Sequence, residues 1–404
     1  FENKEAAERN FPADFICEGV DQTRGWFYSL MAISTLLGKG PAFRNVIVND
    51  LVLDAEGQKM SKSRGNVVDP WSAIEEHGAD AIRWYLLSSS NPWLPKRFDP
   101  AGVREVQRKV FDTLRSSYHF FSLYANLEGW QPSWKDGPAE QRPIMDRWLL
   151  SRLEVLIATV TEQMERYNLT QAVRAIGDFI VDDLSNWYVR RSRDRFWGSA
   201  DTRDTRAAFA TLHRSLVDVS RLSAPFAPFL ADWLHRSLTG DESAHLCRMP
   251  GLDPALRDPA LERGMESVRI LANLGRAARE RVRIRVRQPL GVLRAVVPNP
   301  EEVTEELLEI LRDELNVHRV EFMGRAEELV TFHAKPNFKA IGARFGSRTQ
   351  EVAKAIRALS SAELAEFHAG GALYVMLGGQ QLPLERDDLE LIQEARGDLV
   401  VEAS

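Results

Sequence analysis

Along the first hundred residues, short apolar runs alternate with helical patterns. ADFICEG, residues 13–19, reads as a buried strand ending at Gly19. In TRGWFYSLMAISTLLG, Trp26, Leu30, Ile33 and Leu37 then recur at helical spacing, with Gly38 as the stop. NVIV and LVLD, within 45–54, are β-branched and apolar and run into the turn-forming DAEG. Asp69 and Pro70 supply the N-cap and first position of a helix that Gly78 ends, and Asp80 is placed to cap a second helix through IRWYLLSS. Residues 1–100 are therefore predicted to be α/β.

From 101 to 265 the period is helical throughout. Met145, Leu149, Leu153, Leu156, Val160 and Tyr167 follow one face, and Val173, Ile176, Ile180, Leu184 and Trp187 follow another. TRAAFATLHRSLVDVSRL and APFAPFLADWLHRSL predict two more helices separated by the Pro225–Pro228 region, so the segment reads as a helical bundle. LCRMPGLDPALRDP, 246–259, is rich in proline and glycine and reads as a strap. In 266–404, a helix through LANLGRAARE precedes RVRIRVRQPL, where Val282, Ile284 and Val286 alternate with Arg281, Arg283, Arg285 and Arg287 at strand period. Helix, strand, helix and strand follow, which predicts a small α+β module.

Composition narrows the classes. With 404 residues, 44% of them hydrophobic, the chain can bury more than one core. No apolar run approaches the roughly 18 to 20 residues of a spanning helix, so no membrane association is expected. The chain starts at Phe1 with neither a signal nor a transit pattern, which suggests a piece of something longer. Cys17 and Cys247 lack the paired spacing of a zinc site and fit a reducing compartment. His245 and Cys247 read as a packed surface turn, and no metal is assigned. The net charge of −6 argues against uniform nucleic-acid binding, but the positive charge is clustered.

The densest cluster is GQKMSKSRGN, 57–66, which lies between a strand pair and a helix, where open α/β sheets hold ligands. Mobile lysine ammoniums and serine hydroxyls suit the clamping of a polyanion. GxxxxGK[ST] is absent, so this is not a Walker loop. A lone KxxK would read as a solvated turn. The unbroken KMSKS of Lys59–Ser63, set in LVLDAEGQKMSKSRGNVVDP, resembles the second signature of the class I aminoacyl-tRNA synthetases. EGVDQTRGWFYSL, 18–30, resembles the corresponding segment of the isoleucyl-tRNA synthetases. LSNWYVRRSRDRFW and APFAPFLADWL look like that family's anticodon-binding helices. RVRQPL, DELNV and KPNFKAIGARFG are similar to the tail of its eukaryotic-like subgroup, so the likeness covers essentially the whole chain.

The resemblance implies a multidomain α/β plus all-α protein. Residues 1–100 would be a partial Rossmann-type catalytic half, 101–265 the helical anticodon-binding domain and 266–404 the α+β C-terminal module. It implies ATP-dependent ligation of isoleucine to tRNA(Ile) through an isoleucyl-adenylate, with ATP entering as its Mg2+ complex, in the cytoplasm. By this likeness Glu18, Gly19, Asp21, Gln22, Lys59, Met60, Ser61, Lys62 and Ser63 contact ATP or the adenylate, and Trp26 walls the amino-acid pocket. Lys62 first and Lys59 second neutralise phosphate as the nucleotide is split. Asn186, Arg190 and Arg193, with Trp187 and Tyr188 beside them, could follow a tRNA backbone while an aromatic stacks on a base; a solvated helix face is the alternative. Charge on Arg281–Arg287 could equally protect an edge strand. No HIGH-type signature and no editing insertion occurs, so the missing N-terminal part of the same enzyme is an expected partner. A non-catalytic tRNA-binding module and a valyl-tRNA synthetase fragment are the competing readings.

Overall fold

The computed structural model describes residues 3–133, 136–197, 202–324, 330–368, 370–395 and 400–402. Contacts divide the chain into two units, Phe1–Asp258 and Pro259–Ser404.

The first unit opens with α1 (Lys4–Arg9) and β1 (Ala13–Gly19); α2 (Trp26–Leu36) then carries the chain to β2 (Phe43–Asn49), parallel to β1. β3 (Val52–Leu53), α3 (Pro70–His77), α4 (Ala79–Ser89) and β4 (Lys96–Arg97) repeat the device, with β3 and β4 again parallel. A crossover of this kind is what parallel strands require. The N-cap at Asp69 and the stop at Gly78 stand as predicted: the Asp69 carboxylate accepts from the Ser72 amide at 3.0 Å.

Two local expectations are corrected. On α2 the residues turned inward are Phe27 and Ser34, whereas Trp26, Ile33 and Leu37 of the predicted stripe are 45%, 59% and 67% exposed. A helix lying on only two strands covers a narrow strip, and the buried face is displaced from the predicted one. Asp80 does not cap its own helix, because Gly78 occupies the N-cap. Its buried carboxylate instead accepts from the Leu230 amide at 2.7 Å and the Phe229 amide at 3.4 Å, capping the helix that starts at Pro228.

The helical part begins with α5 (Pro100–Val106) and α6 (Asp112–Leu127), joined through a π-helical turn at Gln107–Phe111. α7 (Ile144–Glu165) follows. α8 (Leu169–Asp178), a π-helical stretch Phe179–Val189 and α9 (Arg190–Phe196) then form one run, and α10 (Arg203–Ser223) and α11 (Pro228–Thr239) complete the bundle. Met145, Leu149, Leu153, Leu156 and Val160 are buried, as are Val173, Ile176, Ile180, Leu184 and Trp187. Tyr167 instead takes φ +58° and stacks on Phe15 at 5.0 Å. Within the core, buried Asp146 accepts from the Tyr188 hydroxyl at 2.5 Å and from Arg195 at 3.0 and 2.6 Å. Each charge there has a partner, as burial demands. The α/β part is fastened to the bundle at the end of α4: Thr170 donates to the Leu87 and Ser90 carbonyls, and Arg174 to those of Ser88 and Ser89.

The second unit starts with α12 (Pro259–Arg281), longer than the sequence suggested. β5 (Leu290–Ala295), α13 (Glu305–Leu315) and β6 (Val317–Phe322) form a parallel βαβ unit. β7 (Val330–Pro336), α14 (Phe338–Phe345), α15 (Thr349–Arg357), α16 (Ser361–His368), the β8 (Leu373–Leu377) and β9 (Gln380–Leu384) hairpin, and β10 (Leu389–Ala395), antiparallel to β7, enclose a core that includes Phe332, Ile341, Val352, Ile356 and Leu364. The predicted strand over 281–287 is corrected to a turn, with Arg283 at φ +58°. The cause lies in Arg279, whose guanidinium donates to the carbonyls of Arg285, Gln288, Leu315 and Asn316 and so winds the segment around itself.

Candidate functional site

One amide side chain organises the basic loop. After β3, the Asp54 amide donates to the Gln58 carbonyl at 2.9 Å, the Gly57 amide returns to the Asp54 carbonyl at 3.0 Å, and Leu53 faces Lys59 across an isolated antiparallel bridge. On the far side of the lysines, Asn66 Nδ2 donates to Asp54 Oδ2 at 2.7 Å and to the Lys59 carbonyl at 3.3 Å, while Asn66 Oδ1 accepts from the Ser61 amide at 2.9 Å. The bond from the Asn66 side chain first, and next that from the Gln58 amide, which donates to Asp54 Oδ1 at 2.6 Å, hold the Asp54 carboxyl below its ordinary value.

Between those anchors Lys62–Arg64 make a single 3-10 turn, and the Ser61 and Ser63 hydroxyls lie 3.2 Å apart. Gly57 and Gly65, at φ +81° and +68°, take the left-handed backbone that any side chain would strain. Lys59, Lys62 and Arg64 are exposed, and among the described residues none of these three side chains forms a hydrogen bond or ion pair. Met60 is half-buried. The backbone is thus fixed by Asn66 while the ammonium groups remain uncommitted, an arrangement suited to closing on an anion that comes and goes.

A second group stands where β1 ends. Gln22 Oε1 accepts from the Trp26 amide at 2.8 Å, and Gln22 Nε2 donates to Asp21 Oδ2 at 3.1 Å. Gln22 therefore caps α2, with Asp21 orienting its amide. A Cβ on Gly19 would lie 2.6 Å from Asp21 Oδ1, so glycine makes room for that carboxylate. Glu18 and Asp21 are exposed, and Trp26 lies half open with its ring 6.0 Å from that of Phe27. The structure links Asp21, Gln22 and Trp26 to one another, and Asp54, Lys59, Ser61 and Asn66 to one another. Among the described residues no hydrogen bond, ion pair or ring contact joins the two groups. Sequence reasoning missed Asp54 and Asn66. Their one signal is a buried-type position occupied by Asp at the mouth of a loop that ends in Gly-Asn.

On the bundle, Asn186, Arg190 and Arg193 are all exposed, so the polar stripe exists as spaced. Arg190 Nε donates to the Asn186 carbonyl at 2.9 Å, and its guanidinium lies 5.6 Å over the Trp187 ring. Trp187 itself is only 5% exposed and Tyr188 is fully buried, so the expected base-stacking aromatic is corrected: both rings belong to the core. In the second unit, Arg283, Arg285, Arg287 and Gln288 line an open cavity of 480 Å³. Among the described residues no helix is long and apolar enough to cross a membrane.

Residues 1–93 match the family described as tRNA synthetases class I (I, L, M and V), and residues 146–295 match the anticodon-binding domain of tRNA ligase. The isoleucine--tRNA ligase of Porphyromonas gingivalis is 43% identical over 399 residues, 98% of this chain and 35% of that protein. The isoleucine--tRNA ligase of Thermus thermophilus is 44% identical over 404 residues, 98% of this chain and 38% of that protein. The chain therefore spans little more than a third of the length of these relatives. Among solved structures, Mycobacterium tuberculosis methionyl-tRNA synthetase in complex with methionyl-adenylate aligns over 64% of this chain and 48% of that one, at 23% identity and a TM-score of 0.49.

Proposed function

Since this chain belongs to the class I tRNA synthetases of the I, L, M and V group, we propose that it is the part of an isoleucine--tRNA ligase that carries the phosphate-clamping loop and the RNA-binding helices. The observation that carries this reading is an ordered loop backbone with free ammonium groups on it. In the proposed reaction the isoleucine carboxylate attacks the α-phosphate of ATP, supplied with Mg2+, and pyrophosphate leaves. The acyl group then passes from the adenylate to the terminal ribose of tRNA(Ile).

Negative charge grows on the departing pyrophosphate, and a cation that meets it there stabilises the transition state more than bound ATP. Lys62 takes that role and Lys59 assists, with Met60, Ser61 and Ser63 shaping the loop. Glu18, Gly19 and Asp21 receive the adenylate at the end of β1, Gln22 holds the start of α2, and Trp26 offers its open indole face to the branched side chain. Residues 1–100, 101–265 and 266–404 act as catalytic, anticodon-binding and C-terminal parts, in the cytoplasm. The exposed stripe of α2 supports a further domain portion, the N-terminal part of the same enzyme, packing there.

The test is Lys62→Ala in the complete ligase, followed by isoleucine-dependent pyrophosphate exchange. The exchange rate is expected to fall by about 100-fold or more with isoleucine binding nearly unchanged. An unaltered rate, or a loss confined to isoleucine affinity, would remove Lys62 from the mechanism. Faster exchange with valine than with isoleucine would overturn the role given to residues 18–26.

A further inference from the structure

The end of α11 and the turn after it gather three potential ligand atoms that the tRNA-ligase reading leaves without a task. His235 Nε2 lies 3.1 Å from Asp241 Oδ2 and 3.3 Å from Cys247 Sγ, and the sulfur is 4.0 Å from the same carboxylate oxygen. The imidazole is fully buried, Asp241 is half exposed and Cys247 lies between these extremes. His235 comes from helix α11, Asp241 from the loop after Gly240 and Cys247 from the strap, so the three meet only in the folded chain.

The proton arrangement around the ring decides what Nε2 can do. Ser220 Oγ on α10 donates its single proton to the Val217 carbonyl at 2.6 Å. The same oxygen, 3.2 Å from His235 Nδ1, is then left to accept, so Nδ1 carries the ring proton. With Nδ1 engaged in this way, Nε2 is the ring nitrogen that faces the carboxylate and the sulfur, so it is the atom placed to ligate an ion held among them. A second partner that fixes the far nitrogen of a ligating histidine is the usual accompaniment of a metal site.

Geometry agrees. Four-coordinate zinc with bonds of about 2.0 to 2.3 Å places its ligand atoms roughly 3.3 to 3.7 Å apart. Of the separations here, 3.3 Å lies at the edge of that range, 3.1 Å just below it and 4.0 Å above it, and half-exposed Asp241, common to the last two, can adjust. Of the three, Asp241 lines an open cavity of 720 Å³ together with Trp233, Arg236 and Glu242, so an ion would reach buried His235 from the side of Asp241.

We propose that His235, Asp241 and Cys247 bind one divalent transition-metal ion of the zinc type. Thiolate and imidazole together select such an ion over magnesium or calcium. Binding expels the Cys247 thiol proton and ties the C-terminus of α11 to the strap. Cys247 and His245, read from sequence as a packed turn, separate in role: His245 Nε2 sits against the Pro228 carbonyl at 3.2 Å and is not a ligand.

The full chain, stripped with a chelator and then freed of it, is titrated with cobalt(II). Saturation at one ion per chain is expected, with a thiolate-to-cobalt charge-transfer band in the near ultraviolet, strong visible bands of a four-coordinate ion, and displacement of both by zinc. Cys247→Ser removes the charge-transfer band, and Asp241→Asn weakens binding by about tenfold or more. Cys17→Ser changes neither. Asp241 lies at the surface, so its variant keeps the metal-free thermal unfolding profile and a loss there is not misfolding. Absence of the charge-transfer band, its persistence in Cys247→Ser, or equal affinity in Asp241→Asn would overturn the site, leaving an imidazolium–carboxylate ion pair only.

Discussion

Asn66 carries more of the loop than either lysine, and it does so through three hydrogen bonds that no spacing rule announces. The KMSKS string could be read directly from Lys59–Ser63, because its chemistry lies in the residues themselves. The support could not, because Asn66 reaches back twelve residues to Asp54, and such a pairing exists only once the chain has turned. Asn66→Ala should therefore loosen the loop without touching a charge. The Ser61 amide is expected to exchange hydrogen faster by roughly fivefold to tenfold, the factor one ordinary hydrogen bond carries, with pyrophosphate exchange reduced in the complete ligase. Unchanged protection at Ser61 would reject the role of Asn66. Trp187 teaches the converse lesson. The helical period assigned it both to the apolar face and to the RNA stripe, and the core took it, since burying an indole is worth more than leaving it at a solvated edge. A histidine in the same bundle offers a titration. Burial, opposed by the Leu238 carbonyl that its Nε2 meets at 3.2 Å, pulls His213 below the ordinary 6.5. The folded state thus disfavours the charged ring, and the stability contributed by keeping it neutral is present above 6.5 and is lost as pH falls below it. Following the His213 ring resonances should give a midpoint below 6.5, and a midpoint above it would contradict this.

The elements that the pattern located best were those with a full apolar face against a thick core. Met145 to Val160 on α7, and Val173 to Leu184 along α8 and the π-helical stretch after it, are buried as spaced, because the bundle surrounds them. α2 was placed correctly along the chain but its buried stripe was not, since two strands give it little to lie on. Residues 281–287 failed for a different reason: alternation of valine and arginine states which period a strand would have, not whether a partner strand is present. Here the carbonyls went to Arg279 instead. Caps behave likewise. Asp69 bonds within its own helix and was legible, whereas Asp80 serves a helix 150 residues away, closing the N-terminus of α11 at Leu230. Removing it as Asp80→Ala leaves two amides at that terminus without their acceptor. Such a substitution should cost about 1 to 2 kcal/mol, read as a lower urea midpoint at constant slope, while Asp80→Asn retains most of it. Equal midpoints for the alanine variant and the parent would mean that solvent satisfies those amides equally well.

Over the whole molecule, a net charge of −6 and an RNA-binding reading are compatible only if the positive groups are placed where the negative ones are not. The 57–66 loop does so, exposing three cations without a carboxylate partner among the described residues; on the bundle, exposed Arg190 and Arg193 share their helix with exposed Asp194, while Asp146 and Asp183 turn inward to other partners. These two basic regions have different proposed work, and salt separates them. Each phosphate contact that releases a counterion contributes about 0.7 to 0.9 to the slope of log affinity against log salt. Arg193→Gln should flatten the tRNA-binding slope of the complete ligase by about that amount and leave adenylate formation intact, whereas Lys62→Ala should do the reverse. Arg190→Gln is a less clean probe, because its guanidinium also covers Trp187 and its loss uncovers an apolar ring. Identical salt slopes for Arg193→Gln and the parent would make that helix face merely solvated, and the RNA contacts of this unit would have to be sought elsewhere on its surface.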